Sequence, residues 1–142
     1  MRTARLEIKD FPRPAVVRLL SPNGRAHWAE RRLARIGFQQ RVWAEARIQW
    51  LPQMQGLVTI RPIWTFPLSR RRDGDNLTAT LKCAVDALVK GGWLVDDSSE
   101  YVRLEPPLVR VEPGVRSLVL EFETSEMQST STAGVTAHMT QE

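Results

Sequence analysis

Leu77, Leu81, Ala84, Val85 and Leu88 recur at i, i+4, i+7, i+8 and i+11. This is the spacing of one apolar helical face. Asp73-Gly74-Asp75-Asn76 precedes the stripe and Gly91-Gly92 follows it. Carboxylates and amides suit a helix start, where free N–H groups carry partial positive charge. Glycines suit a helix stop. The pattern therefore predicts a helix from about Asn76 to Lys90 whose apolar face must be covered by other elements.

Those elements are read on either side. Met1–Pro14 shows no clear pattern, and Ala15–Leu20 reads as a short β-branched and aliphatic strand. Ser21-Pro22-Asn23-Gly24 has turn composition. From Trp28 to Trp50 the spacing of Leu33, Ile36, Trp43, Ala46 and Trp50 predicts a helix, weakened at Gly37 and closed by Pro52 and Gly56. Leu57–Phe66 reads as a strand, with Pro62 suggesting an edge or a bulge. Tyr101–Leu104 and Leu108–Val111 are short apolar runs split by Pro106-Pro107. Glu112-Pro113-Gly114-Val115 reads as a type II turn. The strand after it alternates Leu118, Leu120 and Phe122 with Val119, Glu121 and Glu123. The expected class is α/β (α+β): one small domain over residues 1–124, in β-α-β-α-β-β order, with two helices packed on a mixed sheet. Residues 125–142 are Ser/Thr-rich and are expected to form a disordered tail.

Composition narrows the function classes. The chain of 142 residues can bury one core without staples. Its single cysteine, Cys83, excludes an intrachain disulfide and fits a reducing compartment. No secretory leader and no membrane-length apolar run is seen, so a cytoplasmic protein is expected. The net charge is +4, and 17 of the 20 basic residues are Arg. Guanidinium groups bind phosphate bidentately, although a GC-rich coding bias explains the excess equally well. No zinc pattern and no glycine-rich nucleotide loop is present.

Arg70-Arg71-Arg72 runs into Asp73 and Asp75, and Asp96-Asp97 follows about twenty residues on. Arginines hold phosphate, and clustered aspartates hold a hard divalent cation. Helix capping would explain one of Asp75 and Asn76 but neither Asp73 nor the distant pair. A calcium loop would need Glu at its twelfth position, which is Ala84 here. Taken singly, Asp96-Asp97 reads as a solvated turn. Lys82 reads as a surface residue able to pair with Asp86 at i, i+4, and Cys83 as a small buried residue. Tyr101, Trp28 and Trp93 either stack on exposed bases or fill the core, burial being the commoner fate.

The ordered set Asp73-Gly-Asp75-Asn76-Leu77, Lys82, Asp86-Ala87-Leu88, Gly91-Gly92 and Asp96-Asp97 resembles the RusA family of Holliday junction resolvases, many of them encoded by phages and prophages. Ser21-Pro22-Asn23 resembles that family's N-terminal turn. The resemblance implies a homodimeric endonuclease that cleaves branched DNA, chiefly four-way junctions, with Mg²⁺ or Mn²⁺ and no other cofactor. It implies metal ligation and catalysis by Asp73, Asp75 and Asp97, with Asp96 as the neighbour able to substitute. It implies a catalytic role for Lys82, displaced by three residues from the family's spacing. DNA contacts are expected from Arg70, Arg71 and Arg72, and from Asn23, Arg25, Arg31, Arg32 and Arg35. The place of action would be a bacterial or phage-infected cytoplasm. A non-catalytic binder of branched DNA, a flap or fork nuclease, and a small phage interaction protein without a nucleic-acid role are the competing expectations. A helix from Asp75 to Lys90 spans about 22 Å. Uniting the aspartates therefore requires either a chain that folds back along the helix or a second subunit.

Overall fold

The computed structural model describes residues 2–11, 13–21, 27–69 and 74–128 and, at 74–76 and 126–128, the backbone alone. The elements are β1 (Arg2–Lys9), α1 (Pro14–Leu20), α2 (Trp28–Ile48), β2 (Gln53–Phe66), α3 (Gly74–Lys90), β3 (Val102–Leu104), β4 (Leu108–Val111) and β5 (Ser117–Gln128). Three helices pack on a mixed five-stranded sheet, ordered β1-β5-β2-β3, with β4 also paired to β2. This is the expected α+β class, but its order is β-α-α-β-α-β-β-β, not β-α-β-α-β-β.

Two elements account for the difference. Ala15–Leu20 is helical rather than extended. Pro14 supplies the fixed φ that suits a first helical turn, and Val17 and Leu20, three apart, are the buried pair. Arg2–Lys9, without a clear pattern in the sequence, is an edge strand. It alternates buried Leu6 and Ile8 with exposed Arg5 and Lys9 and half-buried Glu7.

β2 is the central strand. It pairs antiparallel with β5 along most of its length, and on its other side runs parallel first to β3 and then to β4. Pro62 is thus neither at an edge nor in a bulge. Val58 donates to the Tyr101 carbonyl and the Ile60 carbonyl accepts from Glu105, so the even-numbered residues of β2 turn their polar groups toward β3 and β4. Pro62 shares that parity. It falls in the gap where β3 hands over to β4, so its missing N–H leaves no ladder bond unmade. The irregularity lies instead between Gln55 and Val58, beside Gly56 with φ of 74°. There the buried Thr124 hydroxyl donates to the carbonyls of Gln55 and Leu57 at 3.3 and 3.1 Å.

The helices cover one sheet face. Met54, Val58, Ile60, Trp64, Phe66, Val102, Leu118, Leu120, Phe122, Leu6 and Ile8 form the sheet's share of the core. Leu77, Leu81, Ala84, Val85 and Leu88 of α3 are all buried, as their spacing requires. Burying each Leu or Val contributes about 1.5–3 kcal/mol. α2 turns inward only part of the expected stripe. Ala46 is buried and Trp43 packs half-buried against the core as expected, but Phe38 and Val42 are buried in place of Leu33 and Ile36, and Leu33 is 69% and Trp50 63% exposed. Trp50 lies beyond the helix at φ of 57°. The opposite sheet face carries a charged row, Arg5, Glu121 and Arg61, in cross-strand register. β5 continues to Gln128, four residues into the stretch assigned to the tail, and 129–142 lie outside the described residues. Among the described residues, no helix is long and apolar enough to cross a membrane.

Candidate metal and nucleic-acid site

Pro22, Asn23, Gly24 and Arg25 of the expected N-terminal turn lie outside the described residues, as do Arg70, Arg71, Arg72 and Asp73. Asp75 is described by its backbone, as the second residue of α3. Lys82 is seven residues on, two turns or about 10.5 Å along the helix axis, so the two Cα positions share a face. The Lys82 side chain is exposed. The expected Lys82–Asp86 pair does not form. Asp86 instead binds Lys90 at 3.1 Å, one turn on, and Lys82 makes no ion pair among the described residues. A Lys C-terminal to its Asp, near the end of a helix, is also favoured by the helix dipole.

The acidic pair follows the glycine stop. Gly92 has φ of 89°, and Trp93 donates back to the Leu88 carbonyl at 2.9 Å, closing the helix end. The chain then turns back. Met54 donates to the Trp93 carbonyl and Val58 to the Tyr101 carbonyl, so the segment between advances four residues along β2, about 13 Å. Because β2 runs antiparallel to α3, this advance is toward Asp75. The chain thus turns back in the direction that a single-chain site requires, with Tyr101, four residues after Asp97, about 13 Å back along β2. Asp96 and Asp97 are exposed on this returning segment, and the Asp96 carboxylate accepts the N–H of Asp97 at 2.9 Å. One Asp96 oxygen is engaged in this way.

Among the described residues no three His, Cys, Asp or Glu side chains form a metal cage. The Asp73 residue and the Asp75 side chain fall outside that description. The chemistry of the donors nevertheless fits a hard cation, since they are carboxylates without a soft ligand among them. Cys83, the nearest soft donor in sequence, is half-buried. Burial pushes its thiol above the usual range, Asp86 adds to that rise, and Arg35 and Lys90 oppose it.

α2 contributes the basic component. Trp43 donates its indole N–H to the Ala87 carbonyl at 2.7 Å, and Arg47 lies over the Trp93 ring at 5.9 Å. Arg35 lies close enough to Cys83 for its charge to act on the thiol. The order 35, 43, 47 against 83, 87, 93 shows that α2 and α3 run parallel. Their N-termini therefore lie at the same end, so Trp28, Arg32 and Arg35, in the first half of α2, lie toward the end of the helix pair that carries Asp75. Arg32 and Arg35 are exposed and make no ion pair among the described residues. Arg31 is half-buried and donates to the Ser21 carbonyl, so it ties α1 to α2.

The three aromatics separate clearly. Trp93 is 6% exposed and belongs to the core, Tyr101 is half-buried against it, and Trp28 is 68% exposed. A sequence signal did mark Trp28: it stands one turn ahead of Arg31 and Arg32, at the head of the basic face. No family model and no curated protein matches the chain.

Proposed function

We propose that the protein is a structure-selective endonuclease that cleaves branched DNA, four-way junctions above all, by metal-dependent phosphodiester hydrolysis. The observation that supports this reading is the parallel run of α2 and α3, which sets the exposed Arg32 and Arg35 toward the end of the helix pair that carries Asp75, while the chain bearing Asp96 and Asp97 turns back along β2 from the other end. The residue pattern shared with the RusA resolvases supports it.

Asp73, Asp75 and Asp97, with Asp96 beside it, would hold Mg²⁺ or Mn²⁺. When bound, such a cation lowers the pKa of a water and neutralises charge on the phosphate. The chain's own residues do the rest. Lys82 offers a mobile ammonium to a phosphate oxygen as negative charge develops. Arg32 and Arg35, with Arg70, Arg71, Arg72, Asn23 and Arg25, hold the sugar-phosphate backbone and fix its register without reading sequence. Arg31 supports that surface through its bond to Ser21. A twofold dimer would deliver two symmetric cuts to a four-way junction.

The test is cleavage of an end-labelled synthetic four-way junction with Mg²⁺ and with EDTA, comparing the native chain with Asp75→Asn. Paired symmetric nicks that need metal and vanish in the variant are expected. Tight junction binding without nicking, under Mg²⁺ or Mn²⁺, would convert the protein to a non-catalytic binder. Preferred cutting of flaps or forks would reassign its substrate.

A further inference from the structure

Trp28 begins α2 with its ring 68% exposed, and nothing in the core requires it there. Its neighbour His27 caps the helix by accepting the Ala29 N–H on Nδ1 at 3.2 Å. That bond fixes the imidazole beside the indole, with ring centroids 5.5 Å apart. The result is an aromatic surface held on a helix end, not a side chain on a loose loop. Arg32 and Arg35 stand four and seven residues on, so they share the Trp28 face. Glu30, two residues on, lies on the far side of the helix. The surface is therefore aromatic and cationic without a facing carboxylate on its own helix. That composition fits an unpaired nucleobase with its phosphates, because every base offers a π-face and guanidinium groups hold the adjoining backbone.

Position adds a second reason. α2 and α3 run parallel, so Trp28, the first residue of α2, lies at the same end of the helix pair as Asp75, near the start of α3. We infer that Trp28 is a base-stacking platform that holds an unpaired nucleotide beside the acidic end of α3, with Arg32 and Arg35 gripping the flanking phosphates. This inference rests on the nuclease reading, and it deepens that reading by naming unpaired DNA as the element recognised. It explains how such a site could prefer branched or open DNA over plain duplex: only there is a base free to stack without the cost of unpairing it.

The experiment measures fluorescence anisotropy of a labelled twenty-nucleotide thymidine homopolymer and of a mixed-sequence duplex of equal length, in EDTA to prevent cleavage. It compares the full chain with Trp28→Ala, Trp28→Phe and Trp50→Ala. Trp50 is the other largely exposed tryptophan and serves as the control for losing a surface indole. Trp28→Ala should weaken single-strand binding about 5- to 150-fold and leave duplex binding within about twofold. Trp28→Phe should recover most of the loss, and Trp50→Ala should match the native chain. The salt dependence of single-strand binding should be unchanged in Trp28→Ala. It should become shallower in Arg32→Gln or Arg35→Gln, by about 0.7 in the log–log slope for each phosphate that is no longer neutralised. Equal weakening of single strand and duplex, or no weakening, overturns the platform. In that case Asp75→Asn still abolishes cleavage if the nuclease reading holds. No binding to any DNA overturns both.

Discussion

The indole N–H of Trp43 donates to the main-chain oxygen of Ala87 at 2.7 Å, joining α2 to α3 across 44 residues of sequence. This bond ties the two parallel helices together near their C-terminal ends, and so leaves the basic N-terminal half of α2 toward the end of the pair that carries Asp75. Trp43→Phe keeps the ring packing and removes the donor. Urea denaturation should show a loss of about 1 kcal/mol. A variant as stable as the native chain would mean that the ring's packing, not its hydrogen bond, holds the helices together.

Gly37 and Gly91 should respond to alanine with opposite signs. A Cβ on Gly37 meets nothing within 4 Å in the middle of α2, so Gly37→Ala should stabilise by about 0.5–1 kcal/mol. A Cβ on Gly91 would lie 2.3 Å from the Trp93 ring and 2.9 Å from Trp43 Nε1. Gly91→Ala should cost about 1–3 kcal/mol, because both rings are held in place by packing or hydrogen bonding. Thermal melts of the two variants against the native chain check this, and like signs would refute it.

The helix carrying Asp75 was legible because five apolar residues keep a strict helical period between a polar start and a glycine stop. Other elements were not, for definite reasons. β1 has two inward apolar residues, Leu6 and Ile8, amid charged neighbours, too few for alternation to stand out. α1 is seven residues long, and its Val16-Val17 pair carries strand preference that Pro14 and tertiary packing override. In α2 two apolar stripes compete, one through Leu33 and Ile36 and one through Phe38, Val42 and Ala46; spacing supports both, and the choice follows from which one meets Phe11, Leu6 and α3. The acidic motif could be read residue by residue. The parallel packing that puts the starts of α2 and α3 at one end depends on β2 returning the chain between them, and local sequence does not encode that.

Lys82 has no ion-pair partner among the described residues because Asp86 engages Lys90. Lys82→Ala should therefore leave stability within about 0.5 kcal/mol of native. Junction cleavage under saturating Mg²⁺ should nevertheless fall about 100-fold, as expected for removal of a group that meets developing charge. Unchanged turnover would reduce Lys82 to a solvated helix residue and remove it from the site.

Cys83 should behave as an unreactive thiol. Burial raises its pKa in the folded chain, so the neutral form is favoured. A raised folded-state pKa contributes stability below the unfolded pKa and loses it as pH climbs through the folded value. Alkylation by iodoacetamide near pH 8 should accordingly be slower than for a small-molecule thiol and should accelerate only at more alkaline pH. Cys83→Ser should keep metal-dependent cleavage. Rapid alkylation at neutral pH would show that the cysteine is activated, against the effect of its partial burial.

The return of the chain from Trp93 to Tyr101 along α3 favours aspartates drawn from one subunit, and mixed dimers distinguish this from a shared site. If a site takes Asp75 from one subunit and Asp97 from its partner, a dimer of Asp75→Asn with Asp97→Asn has one site with both defects and one with neither. That dimer would nick one strand of a junction. If each subunit supplies both residues, every site in the mixed dimer carries one defect and no strand is cut. The fold-back leads us to expect no cutting when the two inactive variants are co-refolded and assayed on labelled junction with Mg²⁺. Co-refolding either variant with native chain should restore single-strand nicking, which confirms that subunits exchange and that one intact site suffices. A nick from the doubly inactive mixture would place Asp75 and Asp97 of one site on different subunits, and would make dimerisation a condition of the chemistry itself and not only of its symmetry.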